Sequence, residues 1–271
     1  MERGALKKSL GQNFLVDQNI AEKIVRLFGP HENETIIEIG PGEGALTEHL
    51  IARRSQVLAI EIDNEAADTI EQRFKNDVTL LRKDFLKTDI TEIARELEVE
   101  QLRVIGNIPY YITAPILFHL LEHHSVISDA IVMMQREVAE RLTAVPRTKE
   151  YGILSVQIQT WAKPKRLFNV PPSCFFPRPK VTSTVVSLKF EERSELGGIE
   201  EEHQQLVRAA FGKRRKRLKN ALKELITNRD ERAELFTKAE IDPQRRAEEL
   251  TPEEFIRFAR LFAAASSGNA G

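Results

Sequence analysis

The chain has 271 residues, 41% hydrophobic and 30% charged, with a formal net charge of -1, a composition expected of a soluble globular protein of one large domain, alone or with a small second one. A charge so close to zero excludes a uniformly basic nucleic-acid binder, so any such surface must come from local concentration of charge. Cys174 is the sole cysteine, which excludes an internal disulfide and fits a reducing compartment. No run approaches the ~20 apolar residues of a membrane helix, and no apolar signal core opens the chain; cytoplasmic residence is the expectation.

Met1 to Leu10 is basic, and Gly11-Gln12-Asn13-Phe14-Leu15 follows. From the residues alone, Gln12 and Asn13 read as helix-capping loop chemistry. Ile20, Ile24, Val25 and Phe28 recur at helical spacing, which predicts a helix over Gln18–Phe28 ended by Gly29-Pro30. Thr35 to Ile39 reads as a buried parallel strand. The loop Gly40-Pro41-Gly42-Glu43-Gly44 then opens a helix from Ala45 to about Arg53. Strand, glycine-rich loop and helix make a nucleotide-binding turn. The spacing departs from G-x-G-x-x-G, because Glu38, Gly40, Gly42 and Gly44 stand as E-x-G-x-G-x-G. A carboxylate just before the loop favours a cationic or hydroxylated ligand over a pyrophosphate, which points to S-adenosylmethionine rather than NAD.

Gln56 to Ile62 is predicted as the second strand. It ends at Glu61, where an acid about 20 residues past a glycine loop takes ribose hydroxyls. Asp63 is placed to cap a helix running to Phe74. A third strand, Val78 to Leu81, precedes Lys83-Asp84-Phe85, an acid and an aromatic suited to adenine. Each of these acids alone reads equally as a surface turn; three successive strands ending this way carry more.

Leu102 to Ile105 is the fourth strand and delivers Gly106-Asn107-Ile108-Pro109-Tyr110-Tyr111. Asn107 supplies a side-chain acceptor. Pro109 lacks an N–H and has a fixed φ, so the backbone there can present a carbonyl. Tyr110 supplies a flat face. Two acceptors beside a stacking platform suit an exocyclic amine on a planar ring, although Asn-x-Pro is also ordinary turn chemistry.

A helix from Ala114 to His123, a strand from Ala130 to Met134 and helices over Gln135–Thr143 and Tyr151–Gln159 are expected next. Arg166 to Val170 reads as a strand, Val170 to Lys180 as a loop rich in proline and aromatics, and Thr184 to Phe190 as the strand that closes the sheet. Within that loop Phe175 either stacks on a base opposite Tyr110 or plugs the core, and composition does not decide between these. Glu191 to Gly198 reads as a linker, giving expected domains 1–192 and 193–271. Beyond it the pattern is helical, with Phe211, Leu218, Leu222 and Leu225 on one stripe. Lys213, Arg214, Arg215, Lys216, Arg217 and Lys219, with Arg208 nearby, form the densest basic cluster in the chain. They read either as a solvated face or as a phosphate-backbone contact. Thr251-Pro252-Glu253-Glu254 marks a helix start, and the tail from Ser266 is expected to be disordered.

Together these segments resemble the KsgA family of ribosomal RNA adenine dimethyltransferases, over nearly the whole chain. Asn107-Ile108-Pro109-Tyr110 and Pro171 through Val181 are the most specific pieces, joined by Gln135 through Leu142 and by Tyr151 through Val156. The resemblance implies an α/β, Rossmann-like class I methyltransferase domain with a seven-stranded sheet, its last strand antiparallel, plus a small all-α C-terminal domain that recognises RNA. It implies S-adenosylmethionine as cofactor and no metal. The cofactor-binding set expected on this basis is Gln12, Asn13, Leu15, Gly40, Gly42, Glu61, Ile62, Asp84, Phe85 and Asn107. The target-base set is Asn107, Pro109, Tyr110 and Phe175. It further implies transfer of four methyl groups, two to each of two adjacent adenosines near the 3′ end of small-subunit rRNA, by a monomer. Ile108 stands where many relatives have Leu, and that Ile also occurs in the erythromycin-resistance methyltransferases, so methylation of large-subunit rRNA is the second enzyme reading. An RNA-binding assembly factor in which methylation is secondary or lost is the third.

Overall fold

The structure is a computed structural model describing residues 13–193, 196–213 and 216–268. Gln12, Arg214 and Arg215 lie outside the described residues. The chain divides into two compact units. The first runs through Ala139 and resumes over Lys163–Phe190; the second joins Glu140–Ala162 to the described residues from Glu191 onward. The division differs from a single boundary at 192/193, because the segment 140–162 packs with the C-terminal helices.

The first unit contains β1 (Phe14–Leu15), α1 (Gln18–Phe28), β2 (Thr35–Ile39), α2 (Ala45–Ile51), β3 (Gln56–Glu61), α3 (Asn64–Phe74), β4 (Val78–Arg82), α4 (Ile90–Glu96), β5 (Leu102–Asn107), α5 (Thr113–Glu122) and β6 (Ile127–Gln135). α6 (Arg136–Leu142) leads out of it; after α7 (Ile153–Trp161), the strands β7 (Ala162–Val170), β8 (Phe175–Phe176) and β9 (Ser183–Phe190) follow. Seven strands form one sheet in the order β4-β3-β2-β5-β6-β9-β7. The pairs β2–β3, β3–β4, β2–β5 and β5–β6 are parallel, and β9 runs antiparallel to β6. This is the expected class I methyltransferase architecture. β2 and β3 are buried on both faces from their second residue on, which is why they read as continuous apolar runs rather than alternating ones. The strand order reverses between β2 and β5, and in such sheets the crevice beyond the strands' carboxyl ends takes the ligand.

Local chemistry sets the edges of these elements. The Asp17 carboxylate accepts from the Asn19 and Ile20 N–H groups at the start of α1, and Asp63 does the same for Glu65 and Ala66 in α3. α2 stops at Ile51 rather than near Arg53, because the chain turns through Arg54 at φ 59°. The short helix α4, capped by Asp89, has no counterpart in the expectations above.

The second unit adds α8 (Glu200–Gly212), α9 (Leu218–Ala221), α10 (Arg229–Lys238) and α11 (Pro252–Gly268) to α7. Tyr151, Val156, Leu206, Val207, Phe211, Leu218, Phe236, Phe255 and Phe258 share one core. Phe211 stacks on Phe255 and Phe236 on Phe258, with ring centroids 5.9 and 5.1 Å apart. The Tyr151 hydroxyl donates to the Leu250 carbonyl at 2.8 Å, which fastens the 140–162 segment to the C-terminal helices. Thr251 and Glu254 satisfy each other's backbone N–H groups at the start of α11, at 3.2 and 2.8 Å. Two expectations are corrected here. The apolar stripe from Phe211 to Leu225 is not one helix, since α8 ends at Gly212 and α9 begins at Leu218; a glycine followed by consecutive like charges is poor helix material. The tail is helical through Gly268, and the Ser266 hydroxyl donates to the Phe262 carbonyl at 3.0 Å. Among the described residues no helix is long and apolar enough to cross a membrane.

Candidate active site

The carboxyl ends of β2, β3, β4 and β5 open into a single cleft of about 1010 Å3, a volume that includes its solvent-open mouth. Asn13, Leu15, Gly40, Gly42, Glu61, Ile62, Asp84, Phe85 and Asn107 all line it, as do Pro109 and Tyr110. Residues drawn from almost a hundred positions of sequence therefore meet at one place.

The glycine loop is shaped for close approach. Gly42 sits at φ 57°, and a Cβ there would lie 2.9 Å from the ring of Phe14. Gly44 sits at φ 83°, with Phe74 only 2.4 Å from where its Cβ would be. Both are conformations an L side chain rarely adopts. Glu61 braces the loop. One carboxylate oxygen accepts from the Gly42 N–H at 3.3 Å, and the other accepts from the N–H groups of Ile62 and Asp63, each at 2.9 Å. Burial raises the pKa of Glu61, and those three N–H groups oppose the rise. Glu38, 1% exposed, accepts from the Thr47 hydroxyl at 2.7 Å. Burial, with the Glu61 charge adding to it, pushes the Glu38 carboxyl up to about 7.

β5 ends in a turn whose hydrogen bonds show which of its acceptors are already occupied. The Asn107 side-chain amide donates to the Asn13 carbonyl at 3.0 Å. A carbonyl only accepts, so the NH2 must face it, and Oδ1 is left as the acceptor Asn107 offers. Pro109 holds φ -59° and ψ 136°. Its carbonyl already accepts from the Ile112 N–H at 3.2 Å and from the Thr113 hydroxyl at 3.3 Å. The second acceptor of the turn is therefore the Ile108 carbonyl, which carries no hydrogen bond among the described residues; Pro109 contributes rigidity. The Tyr110 hydroxyl hydrogen-bonds Ser183 Oγ at 2.6 Å, and burial raises its pKa. With its hydroxyl occupied, Tyr110 offers its ring rather than a proton.

Phe175 is not brought to the cleft. It is 2% exposed, pairs with Leu15 in the two-stranded ribbon of β1 and β8, and packs with Ile24, Phe28 and Val185. Of the two expectations for Phe175, the core plug is the one found; its neighbour Phe176 is 42% exposed. Arg208, Lys213, Lys216, Arg217 and Lys219 are exposed in the second unit. Lys213 is paired with Glu224, and Arg217 donates to the Gln244 side chain.

Several lining residues were absent from the expected set: Phe14, Pro41, Lys83, Tyr111 and Ile116, together with Glu38, which had been read only as a sign of ligand charge. Ile116 was findable, lying in the first turn of the helix that follows the Pro109-Tyr110 turn. Phe14 was not, because its position depends on pairing with Phe176.

The family profile for ribosomal RNA adenine dimethylase matches residues 4–264. The chain belongs to the ribosomal RNA adenine dimethylase family. A ribosomal RNA small subunit methyltransferase A from Caldanaerobacter subterraneus subsp. tengcongensis is 40% identical over 258 residues, covering 93% of this chain and 96% of that protein. A protein of the same name from Syntrophus aciditrophicus is 45% identical over 220 residues, 80% of this chain and 78% of that one. Among solved structures, a dimethyladenosine transferase from Plasmodium falciparum superposes with TM-score 0.76 at 25% identity, covering 94% of this chain and 98% of that one. The 23S rRNA methyltransferase ErmE superposes with TM-score 0.69 at 26% identity, covering 92% and 100%. As a member of this family the protein is a methyltransferase that uses S-adenosylmethionine. The cleft fits that cosubstrate: Gly42 leaves no room for a Cβ beside Phe14 on its wall, and the carboxylates Glu38, Glu61 and Asp84 among its lining residues suit a cation, ribose hydroxyls and an amino group.

Proposed function

We propose that this protein dimethylates N6 of two adjacent adenosines near the 3′ end of small-subunit rRNA, acting as a monomer in the cytoplasm and contributing to small-subunit biogenesis. The observation that carries the reading is the Asn107–Tyr110 turn, which sets two acceptors beside an aromatic face inside a cleft suited to S-adenosylmethionine. The relatives named for the small subunit support the choice of substrate.

When bound, S-adenosylmethionine supplies an electrophilic methyl group on a sulfonium. The residues' task is to make a weak nucleophile attack it. The adenine N6 lone pair is delocalised into the ring. Asn107 Oδ1 and the Ile108 carbonyl accept its two hydrogens, which favours a more tetrahedral nitrogen with its lone pair directed out of the ring plane. Alignment of this kind supplies up to ~7–11 kcal/mol of barrier reduction. Tyr110 stacks on the adenine extruded from its helix. The alkylated nitrogen is acidic and loses its proton without a strong base, in keeping with the lack of histidine among the residues lining the cleft. In the helical unit, the exposed Arg208, Lys213, Lys216, Arg217 and Lys219 meet the RNA backbone in this reading. The domain roles are accordingly catalysis for the first unit and RNA recognition for the second.

The likeness to a 23S rRNA methyltransferase, together with Ile108, favours large-subunit rRNA as the second reading. The test is transfer of labelled methyl groups to undermethylated small subunits, with large subunits as control. Dimethyladenosine from small subunits alone is the expected outcome, and label confined to large subunits overturns it. Small-subunit binding without label in either places the protein among assembly factors.

A further inference from the structure

Behind the wall of the cleft formed by Asp84 and Phe85 stands a histidine that does not line it. His119 lies on α5, 8% exposed, with Nε2 at 2.9 Å from the Thr88 carbonyl. Because a carbonyl only accepts, Nε2 carries the hydrogen whether the ring is neutral or charged. The same ring meets Phe85 edge-on, with centroids 5.2 Å apart and planes at 78°. His123 also meets the ring, with centroids 4.7 Å apart and planes at 75°, and is itself held by Thr91 at 3.0 Å.

The turn that His119 contacts is the one carrying Asp84 and Phe85. Among the described residues, its other hydrogen bonds are local. Asp84 Oδ1 accepts from the Leu86 N–H at 3.0 Å, the Thr88 hydroxyl donates to the Asp84 carbonyl at 2.9 Å, and the Thr88 N–H donates to the Phe85 carbonyl at 3.1 Å. These bonds fix the turn's shape, and on its β4 side the turn follows directly from the sheet-paired Arg82. The bond from His119 connects it to a helix whose first turn is tied to the other wall, where the Thr113 hydroxyl donates to the Tyr110 carbonyl at 3.1 Å. Between the two ties, Ile116 of α5 lines the cleft itself. α5 thus spans from the Asn107–Tyr110 turn to the Asp84–Phe85 side of the cleft.

We infer that His119 is a positioning residue for cosubstrate binding: its Nε2–H bond to Thr88 and its edge contact with Phe85 hold the Asp84–Phe85 wall at the separation from the Asn107–Tyr110 turn that α5 dictates. His119 touches no ligand and takes no part in proton transfer. The inference rests on the reading of the cleft as the S-adenosylmethionine site.

Three variants of the full chain test it. His119→Leu keeps comparable volume without a donor, His119→Gln keeps a donor near the Nε2 position, and His119→Asn carries an amide one methylene short. Calorimetric Kd values for S-adenosylmethionine and S-adenosylhomocysteine are the primary readout. A lost buried hydrogen bond that acts on binding weakens Kd by about tenfold. The leucine and asparagine variants are expected to show that loss, with glutamine within about threefold of wild type and kcat at saturating cosubstrate within about twofold for all three. Wild-type affinity in both the leucine and asparagine variants overturns the role of His119. Equal losses in glutamine and asparagine overturn the donor role, as does a fall in kcat with Kd unchanged. If the leucine variant does not fold, the glutamine–asparagine comparison decides alone. Failure of the wild-type protein to bind either ligand overturns the reading of the cleft instead.

Discussion

The Asn107 amide is held by the main-chain carbonyl of Asn13 at 3.0 Å, so the residue just before β1 decides which end of the Asn107 side chain is left to accept a hydrogen bond. Asn107→Asp keeps the shape but sets a carboxylate oxygen against that carbonyl, while Asn107→Ala removes the acceptor. Both are expected to lower kcat by at least ~100-fold, in the range of a lost preorganised transition-state contact. Affinity for undermethylated small subunits is expected to stay within about threefold. Filter binding alongside single-turnover methyl transfer checks this, and near-normal turnover in either variant removes Asn107 from the chemistry.

Glu38 gives the cleft a pH dependence with a defined sign. Its folded pKa is raised to about 7 by burial. In the ligand-free protein its contribution to stability is present below the ordinary carboxylate range and is lost as pH rises through about 7. A cationic ligand reverses the preference by favouring the ionised carboxylate. Cosubstrate affinity is therefore expected to weaken as pH falls from about 8 to about 6, with proton release on binding in that window. Calorimetry in buffers of different ionisation enthalpy counts the proton. Glu38→Gln should flatten the profile, and an unchanged profile in that variant assigns the dependence elsewhere.

Much of the fold was legible because its central strands are largely buried on both faces. Such strands appear as short runs of Ile, Val and Leu, and β2, β3 and β5 were read that way. The acids at their ends, Glu61 and Asp84, were legible for a related reason: few structural needs place a carboxylate where an apolar strand stops. Phe175 was not legible. A stacking ring and a core ring have the same composition around them, and the choice is made by the pairing of Leu15 with Phe175, far apart in sequence. The break between Gly212 and Leu218 was also hidden, since Phe211, Leu218 and Leu222 keep helical spacing across it and all end buried in one core.

The helical unit should be the acid-sensitive one. His203 is fully buried on α8; its Nε2 lies 3.4 Å from Thr160 Oγ1, and its Nδ1 has no hydrogen-bond partner among the described residues. Burial lowers its pKa to about 4. Between about 6.5 and about 4 the unfolded chain binds the proton and the folded one does not, so stability is lost as pH falls through that window. His203→Leu is expected to remove about half or more of the drop in urea midpoint between about pH 7 and about pH 5. An undiminished drop places the acid-labile group elsewhere.

Lys216 and Lys219 are exposed in the second unit. Changing both to Glu is expected to weaken small-subunit binding by at least ~10-fold at moderate salt and to reduce the slope of log affinity against log salt by about two. Titrations at several salt concentrations give both quantities. Affinity that is unaltered across salt takes these lysines out of the RNA interface.

The segment 140–162 carries a consequence for how proteins of this kind can be recombined. The chain enters the helical unit, leaves it to lay down β7 and β9, and enters it again. Tyr151 and Val156 therefore depend for their burial on residues such as Leu206, Phe211 and Phe255, encoded well downstream. A gene cut once, at the linker near residue 192, strands an apolar face on each product. Exchanging the helical unit with that of a relative therefore requires two coordinated crossovers rather than one.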